Sequence, residues 1–330
     1  MLTPHYDQDP NVQSTASATF QRDLADAAHY ARHAKSDATL LAYARDLADF
    51  DRYCEERGVP AQPAQPQTVA AYVASLSRRL KLVTIRRRLV AVAQSHKQSG
   101  LPSPTSHPMV REVLRGVARD PSVQLRSFTQ KKTALTPDRL RVLLAAIDQS
   151  TSRGLRDRSI ILLGWAGALR RSEIAALDVG DISFSARGAT IFLRSSKTDQ
   201  IAVGCTIDIP RVSGSDLCAV RAVEEWIAAM SLLRGPLYRT FARGDRPKEG
   251  RIDPIDVARC IKRAALAGQL PGDYAAHSLR RGHITSAIRS GVLVHDVMRF
   301  SRHKSQTVFY GYVEESLMPS DALSRMLAAD

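Results

Sequence analysis

The stretch SIILLGWAGAL at residues 159–169 is apolar on nearly every side, and no other feature restricts the fold as much. A helix without a polar face has to be enclosed by other elements. Its eleven residues fall well short of the roughly 20 that cross a bilayer, so this helix is expected at the centre of a domain. No longer apolar run occurs, neither end carries a lipidation motif, and the opening MLTPHYDQDP lacks the apolar segment of a signal peptide. The expected location is therefore the cytoplasm, with access to the chromosome.

A chain of 330 residues with 44% apolar content exceeds one compact core, so two domains are expected. Residues 1–20 are polar and aperiodic and read as a flexible arm. From 21 to 120 the pattern is helical. Leu40, Leu41, Leu47 and Phe50 form one amphipathic face, Val69, Tyr72, Val73 and Leu76 a second, and Ile85, Leu89, Val90 and Val92 a third, with Arg86, Arg87 and Arg88 beside it. Glycine and prolines at 58–66 separate the first two. A further helix follows at about Met109–Ala118, and 121–134 reads as a basic linker holding Lys131 and Lys132.

The second domain, 135–330, opens with Thr136 as helix cap and Pro137 at the first helical position. After the central helix, DISF, ATIFL and IAVGCTIDI read as three short antiparallel strands joined by hairpins, and further helices are expected over 216–330. The fold class is thus mainly α with a small antiparallel sheet, an all-α domain followed by a mixed α/β one.

A formal net charge of +14 and an arginine-heavy composition favour a polyanionic partner, with nucleic acid first. The cysteines Cys54, Cys205, Cys218 and Cys260 form no CxxC pair and stand at no zinc-ligand spacing. They read as reduced, mostly buried thiols.

Four segments of the second domain carry chemistry. In ALRRSEIAAL, Arg170 and Glu173 lie three apart and are expected to share a helical face, where the acid can orient the guanidinium. In RSSKTDQ, Lys197 stands near a hairpin tip. In HSLRRGH, His277 and Arg280 share a helical face, and in RHKSQTVFYGYV, His303 precedes Tyr312 by nine residues.

In this order and spacing, LRRSE, the hairpin lysine, HSLR and H…GY resemble the tyrosine recombinase (phage integrase) family, over about residues 135–315. The resemblance implies a two-domain DNA clamp whose helical domain binds the core site. Tyr312 would be the nucleophile, with Arg170 and Arg280 clamping the scissile phosphate. His277 and His303 would complete the pocket, Lys197 would be the general acid and Glu173 a support. It further implies double-stranded DNA with a specific site as substrate, a tetramer assembled on DNA, accessory DNA-bending proteins as further partners, and no metal, ATP or other cofactor. The SRH before the histidine departs from the commonest pattern, which has a glycine in that turn. The nine-residue spacing and the GYV context select Tyr312 over Tyr310.

The residue types suit this chemistry. Transesterification at phosphorus builds negative charge on the non-bridging oxygens, which fixed guanidinium forks stabilise. A phenolic oxygen attacks in line, and the departing 5′-hydroxyl needs a proton. Plainer readings stand beside these: Glu173 as a first-turn capping acid, Arg86–Arg88 as a solvated helix face, and His283 and His295 as structural. A type IB topoisomerase, a metal-dependent nuclease or transposase, and a non-enzymatic regulator on the same scaffold are the alternatives.

Overall fold

The structure, a computed structural model, describes residues 18–33, 35–128, 131–194 and 204–316. The chain divides into two compact units, 1–130 and 131–330. It is mostly helical, with small antiparallel sheets.

In the first unit, helices α2 (Asp37–Glu55), α3 (Pro66–Ser77), α4 (Leu82–Gln98) and α5 (Pro108–Arg119) follow the apolar periodicity, and they are preceded by helix α1 (Ala18–His33), which is exposed from Phe20 to Ala31. Helix α2 packs on α4, and α3 packs on α5. Phe50, Val69, Tyr72, Val73, Leu76, Ile85, Val92 and Val110 form the core between them. The proline-rich connection before α3 is fastened by His96, whose Nε2 accepts the Ala64 N–H (3.0 Å) while Nδ1 meets the Val92 carbonyl (2.9 Å).

Residues 121–127, expected as linker, instead form helix α6 (Pro121–Ser127) and belong to this unit. Asp120 caps α6 by accepting from the Ser122 and Val123 amides, and Val123 is buried. Only Val123 of this short helix is buried, while Leu125 is exposed, and one buried position leaves no periodicity to read.

The second unit is built around the apolar helix. Helices α7 (Pro137–Ala145), α8 (Ser152–Ala166) and α9 (Arg171–Ala176) precede strands β1 (Ile182–Ser185), β2 (Gly188–Leu193) and β3 (Cys205–Pro210). Helix α10 (Ala219–Ala229), strands β4 (Arg239–Phe241) and β5 (Pro247–Arg251), and helices α11 (Pro254–Ala267), α12 (Ala276–Arg289), α13 (Val294–Phe300) and α14 (Gln306–Ser316) complete it. As expected, α8 is central: Ser159 through Gly164 are buried and α9, α10, α11 and α12 pack against it.

Strands β1, β2 and β3 form an antiparallel sheet with Ile182 opposite Ile191 and Ile191 opposite Ile207. Its inner residues join the α8 core. The β4–β5 hairpin corrects the expectation of helices alone over 216–330. Its β5 strand, PKEGR, is exposed throughout, so no alternating apolar pattern marked it. Thr136 does occupy the N-cap of α7, but its side chain makes no capping hydrogen bond. Cys54, Cys218 and Cys260 are buried free thiols, and Cys205 is half-buried.

Two close approaches set up the site. A Cβ on Gly164 of α8 would lie 2.7 Å from Ile174 of α9 and 2.8 Å from Leu279 of α12. The missing side chain therefore lets the helices that follow Arg170 and carry His277 and Arg280 converge. A satellite core of Ile284, Ile288, Val297, Phe309, Tyr312 and Val313 seats α14 on α12.

Candidate active site

The chain turns sharply between α8 and α9, with Ala168 at φ 45°. Arg170 is the N-cap of α9 rather than a residue on its face, which corrects the expectation that Arg170 and Glu173 share one. Glu173 accepts the Arg170 backbone N–H (2.8 Å) with one carboxylate oxygen and the Arg170 Nη1 (2.6 Å) with the other. The capping acid and the orienting acid are thus the same residue.

Arg280 is 1% exposed. It donates to the Ala168 carbonyl (2.7 Å) and to the Ser301 carbonyl, tying α12 to the turn before α9 and the turn after α13. His303 lies beside it, with Nδ1 at 3.3 Å from Arg280 Nη2 and 2.8 Å from Ser301 Oγ. The His303 and Tyr312 rings are 5.4 Å apart. Tyr312 Oη is 2.6 Å from His277 Nε2. Tyr312 is 8% exposed, whereas Tyr310 is 51% exposed.

Arg170, Glu173, His277, Arg280, His303 and Tyr312 are therefore brought together in the second unit. Lys197 lies outside the described residues. Lys131 Nζ donates to the Gly311 carbonyl (3.1 Å), next to Tyr312, and Lys132 pairs with Asp273. In the first unit Arg86 and Arg87 are exposed. Arg88 turns inward and is held by Asp49 and Tyr72, so the three do not form one solvated basic edge. His283 stacks on Phe300 (centroids 5.0 Å apart) and His295 is exposed beside Asp296; both stand apart from the cluster.

The crowding of cations decides the protonation states. Burial, then Arg280, Arg281 and Arg170, hold the His277 imidazole below its ordinary range. Burial, then Arg280, Arg170, His277 and Arg302, push His303 down to about 3. Both imidazoles are neutral at neutral pH. Arg280 is brought down to about 9 by burial, Arg170 and Arg302, and is still charged at pH 7. Burial raises the Tyr312 phenol, and Arg280, Arg281, Lys131 and Arg170 pull part of the way back. A neutral imidazole against a protonated phenol, inside a ring of guanidinium groups, is an arrangement for deprotonating a nucleophile beside a bound anion.

Residues 133–316 match the sequence profile of the phage integrase family, and residues 19–97 match the phage integrase, N-terminal SAM-like domain. The integrase/recombinase xerD homolog of Selenomonas ruminantium is 34% identical over 297 residues, covering 88% of this chain and 86% of that protein. The chain belongs to the phage integrase family. The tyrosine recombinase XerC of Myxococcus xanthus is 25% identical over 290 residues, covering 84% and 87% of the two chains. A crystal structure of the XerH site-specific recombinase bound to a palindromic difH substrate shares the fold, with a TM-score of 0.64 at 14% identity, covering 94% of this chain and 84% of that one.

As a member of the phage integrase family the protein is a tyrosine recombinase. Two of its residues at the site escaped the sequence reading. Arg302, in the turn before His303, adopts φ 58°. Its guanidinium reaches Glu173 (3.0 Å) and the carbonyls of Gly167, Ala168 and Phe300. Arg281, whose Cζ is 5.5 Å from the Tyr312 ring centre, follows His277 by one helical turn, and that spacing was its signal. Among the described residues no group of three or more His, Cys, Asp or Glu could hold a metal ion, and no helix is long and apolar enough to cross a membrane.

Proposed function

We propose that this tyrosine recombinase cleaves and rejoins double-stranded DNA at a specific site through a 3′-phosphotyrosine on Tyr312. The observation that carries the reading is the 2.6 Å contact between Tyr312 Oη and His277 Nε2, beside the cations Arg170 and Arg280 and the neutral His303. His277, neutral and protonated on Nδ1, takes the phenolic proton as Tyr312 attacks phosphorus. The bond to the 5′-oxygen breaks, and Lys197 delivers the proton to that leaving group. Arg170 and Arg280 stabilise the charge that develops on the non-bridging oxygens, and His303 completes the donor set. Glu173 orients Arg170. Arg86, Arg87, Lys131 and Lys132 add phosphate contacts, which give affinity and salt dependence.

The phosphotyrosine conserves the energy of the broken phosphodiester, so a 5′-hydroxyl from another strand reverses the step without ATP, and the fixed cations fill the role of a metal. Exchange between two duplexes breaks four strands. With one Tyr312 per chain, this calls for a tetramer assembled on DNA.

The test is covalent trapping in EDTA on nicked suicide duplexes carrying candidate sites, resolved on a denaturing gel. An adduct formed by wild type and by Tyr310→Phe, and lost with Tyr312→Phe, is the expected result. Bound DNA without adduct on any duplex overturns the enzymatic reading in favour of a DNA-binding regulator.

A further inference from the structure

Within the second unit a cavity of about 480 Å³ opens beside Tyr312, lined by Lys131, Thr136, Arg139, Arg281, Thr285 and Arg289 among others. We infer that it is a second phosphate site, which holds a phosphodiester of the cleaved strand adjacent to the one that Tyr312 attacks. The inference rests on the recombinase mechanism above and extends it by placing the phosphate contact of Lys131 and Lys132 in one cavity together with Arg139, Arg281 and Arg289.

Three independent features converge there. The first is charge: five cationic side chains, Lys131, Lys132, Arg139, Arg281 and Arg289, are among the described residues that line the cavity, with one carboxylate, Asp138, beside them, and Lys132 also pairs with Asp273. Asp138 points to solvent with 94% of its side chain exposed, and it lies 3.5 Å from Arg141 rather than from a cavity cation. Arg281 and Thr285 are buried at the floor, 8% and 6% exposed. Arg139 is held in place by donating to the Ala134 carbonyl (3.2 Å).

The second is the start of α7. Thr136 stands at its N-cap without capping it and lines the cavity, so the amino end of the helix borders the same space, a setting suited to an anion.

The third is register. His277, Arg281, Thr285 and Arg289 follow one another at intervals of four along α12, a stripe in which each step rises about 6 Å. The stripe begins at the residue that contacts Tyr312 and runs away from it through the cavity. Arg281 lies over the Tyr312 ring, and Lys131 bonds the carbonyl of the preceding residue. One strand of duplex DNA presents a charge about every 3.4 Å along the axis, so a strand whose scissile phosphate sits at Tyr312 brings a neighbouring phosphate within reach of this stripe.

The experiment uses the full chain and a labelled duplex on which wild type forms the adduct, and measures binding by anisotropy as a function of salt. Arg139→Ala with Arg289→Ala is compared with Arg141→Ala, an exposed arginine of the same helix that does not line the cavity. The double variant is expected to lower the salt slope by about 1, the value for one lost phosphate contact, while Arg141→Ala leaves it unchanged. Arg139→Lys with Arg289→Lys should keep the slope, which covers the case of an alanine variant that does not fold.

Duplexes with single neutral methylphosphonates next to the scissile position then locate the contact. One position should weaken wild type about tenfold and leave the double alanine variant unaffected. Unchanged slopes, or a slope change with no methylphosphonate position coupled to the variant, overturn the second site. Failure of wild type to form any adduct overturns the recombinase mechanism instead.

Discussion

Glu173→Gln isolates what one buried carboxylate does for the site. Glu173 is 3% exposed and accepts from the Arg170 backbone N–H (2.8 Å), Arg170 Nη1 (2.6 Å) and Arg302 Nη2 (3.0 Å). Glutamine has the same shape, but it places an amide donor where one of these donors was satisfied. It also leaves two guanidinium groups without their counter-charge. Removing one partner of a buried ion pair costs about 3–5 kcal/mol. The Arg170 and Arg302 side chains retain 20% and 12% exposure, so water recovers part of that loss and about 3 kcal/mol is expected.

For a domain of 150–250 residues each kcal/mol moves the melting temperature by roughly 2–4 °C, which places the drop at roughly 6–12 °C by calorimetry. Adduct formation, measured well below the melting temperature, should slow by about 10- to 100-fold as Arg170 loses its orientation. The loss should also depend on pH. Burial alone pushes the Glu173 carboxyl up, but Arg302 and the Arg170 amide and guanidinium more than reverse this and hold it below 4.5. Its contribution is therefore present in full above pH 4.5 and is lost as pH falls through the lower folded value. The gap in melting temperature between wild type and Glu173→Gln should close in acid. A gap under 2 °C at pH 7, or one that widens in acid, refutes the reasoning.

Three further outcomes are expected. In histidine-labelled protein followed by NMR, the His303 imidazole should stay neutral down to about pH 3. Unfolded histidines take up protons near 6.5, so these buried imidazoles cost stability as pH falls below that value; a His303 midpoint at 6.5 or above contradicts the burial and charge argument. Lys197→Ala should slow cleavage of ordinary DNA by about 10²- to 10⁴-fold and act near wild type on a duplex with sulfur at the 5′-bridging position, because a thiolate leaves without a proton; equal loss on both substrates removes Lys197 as the acid. Gly282→Ala would put a Cβ 1.9 Å from the Leu135 carbonyl oxygen, which also accepts from Trp165 Nε1. Backbone cannot yield there, so the penalty should exceed the roughly 1–3 kcal/mol of ordinary overpacking, and a wild-type urea midpoint would show that α12 sits farther from the segment that leads into α7.

Helices α2, α3, α4 and α5 of the first unit and the three-stranded sheet were legible because each buries one face against a core, and burial of a face writes a period into the sequence. Helix α6 and the β4–β5 hairpin were not. The first is fastened by an aspartate cap and one valine, the second by backbone pairing between exposed polar strands, and neither needs apolar spacing. At the site, Arg170, His277, Arg280, His303 and Tyr312 were legible as motifs with chemical reasons for their types. The two roles of Glu173 needed coordinates, since a spacing of three fits both a cap and an ion pair.

Arg302 shows why such a residue hides. A non-glycine residue at φ 58° is strained, by about 1–3 kcal/mol where the surroundings hold it, and from sequence alone an arginine in a glycine turn looks like a defect. The structure supplies the compensation. The left-handed turn directs the Arg302 side chain inward, where it donates to Glu173 and to the carbonyls left open at the turn between α8 and α9. Arg280 uses the Ala168 carbonyl as well. One acid and one reversed turn thus position Arg170, Arg280 and Arg302 together. A glycine at 302 would relieve the backbone but give up the second cation on Glu173. In this chain, then, the strain at Arg302 and the placement of Arg170 are two parts of one arrangement, joined through the carboxylate of Glu173.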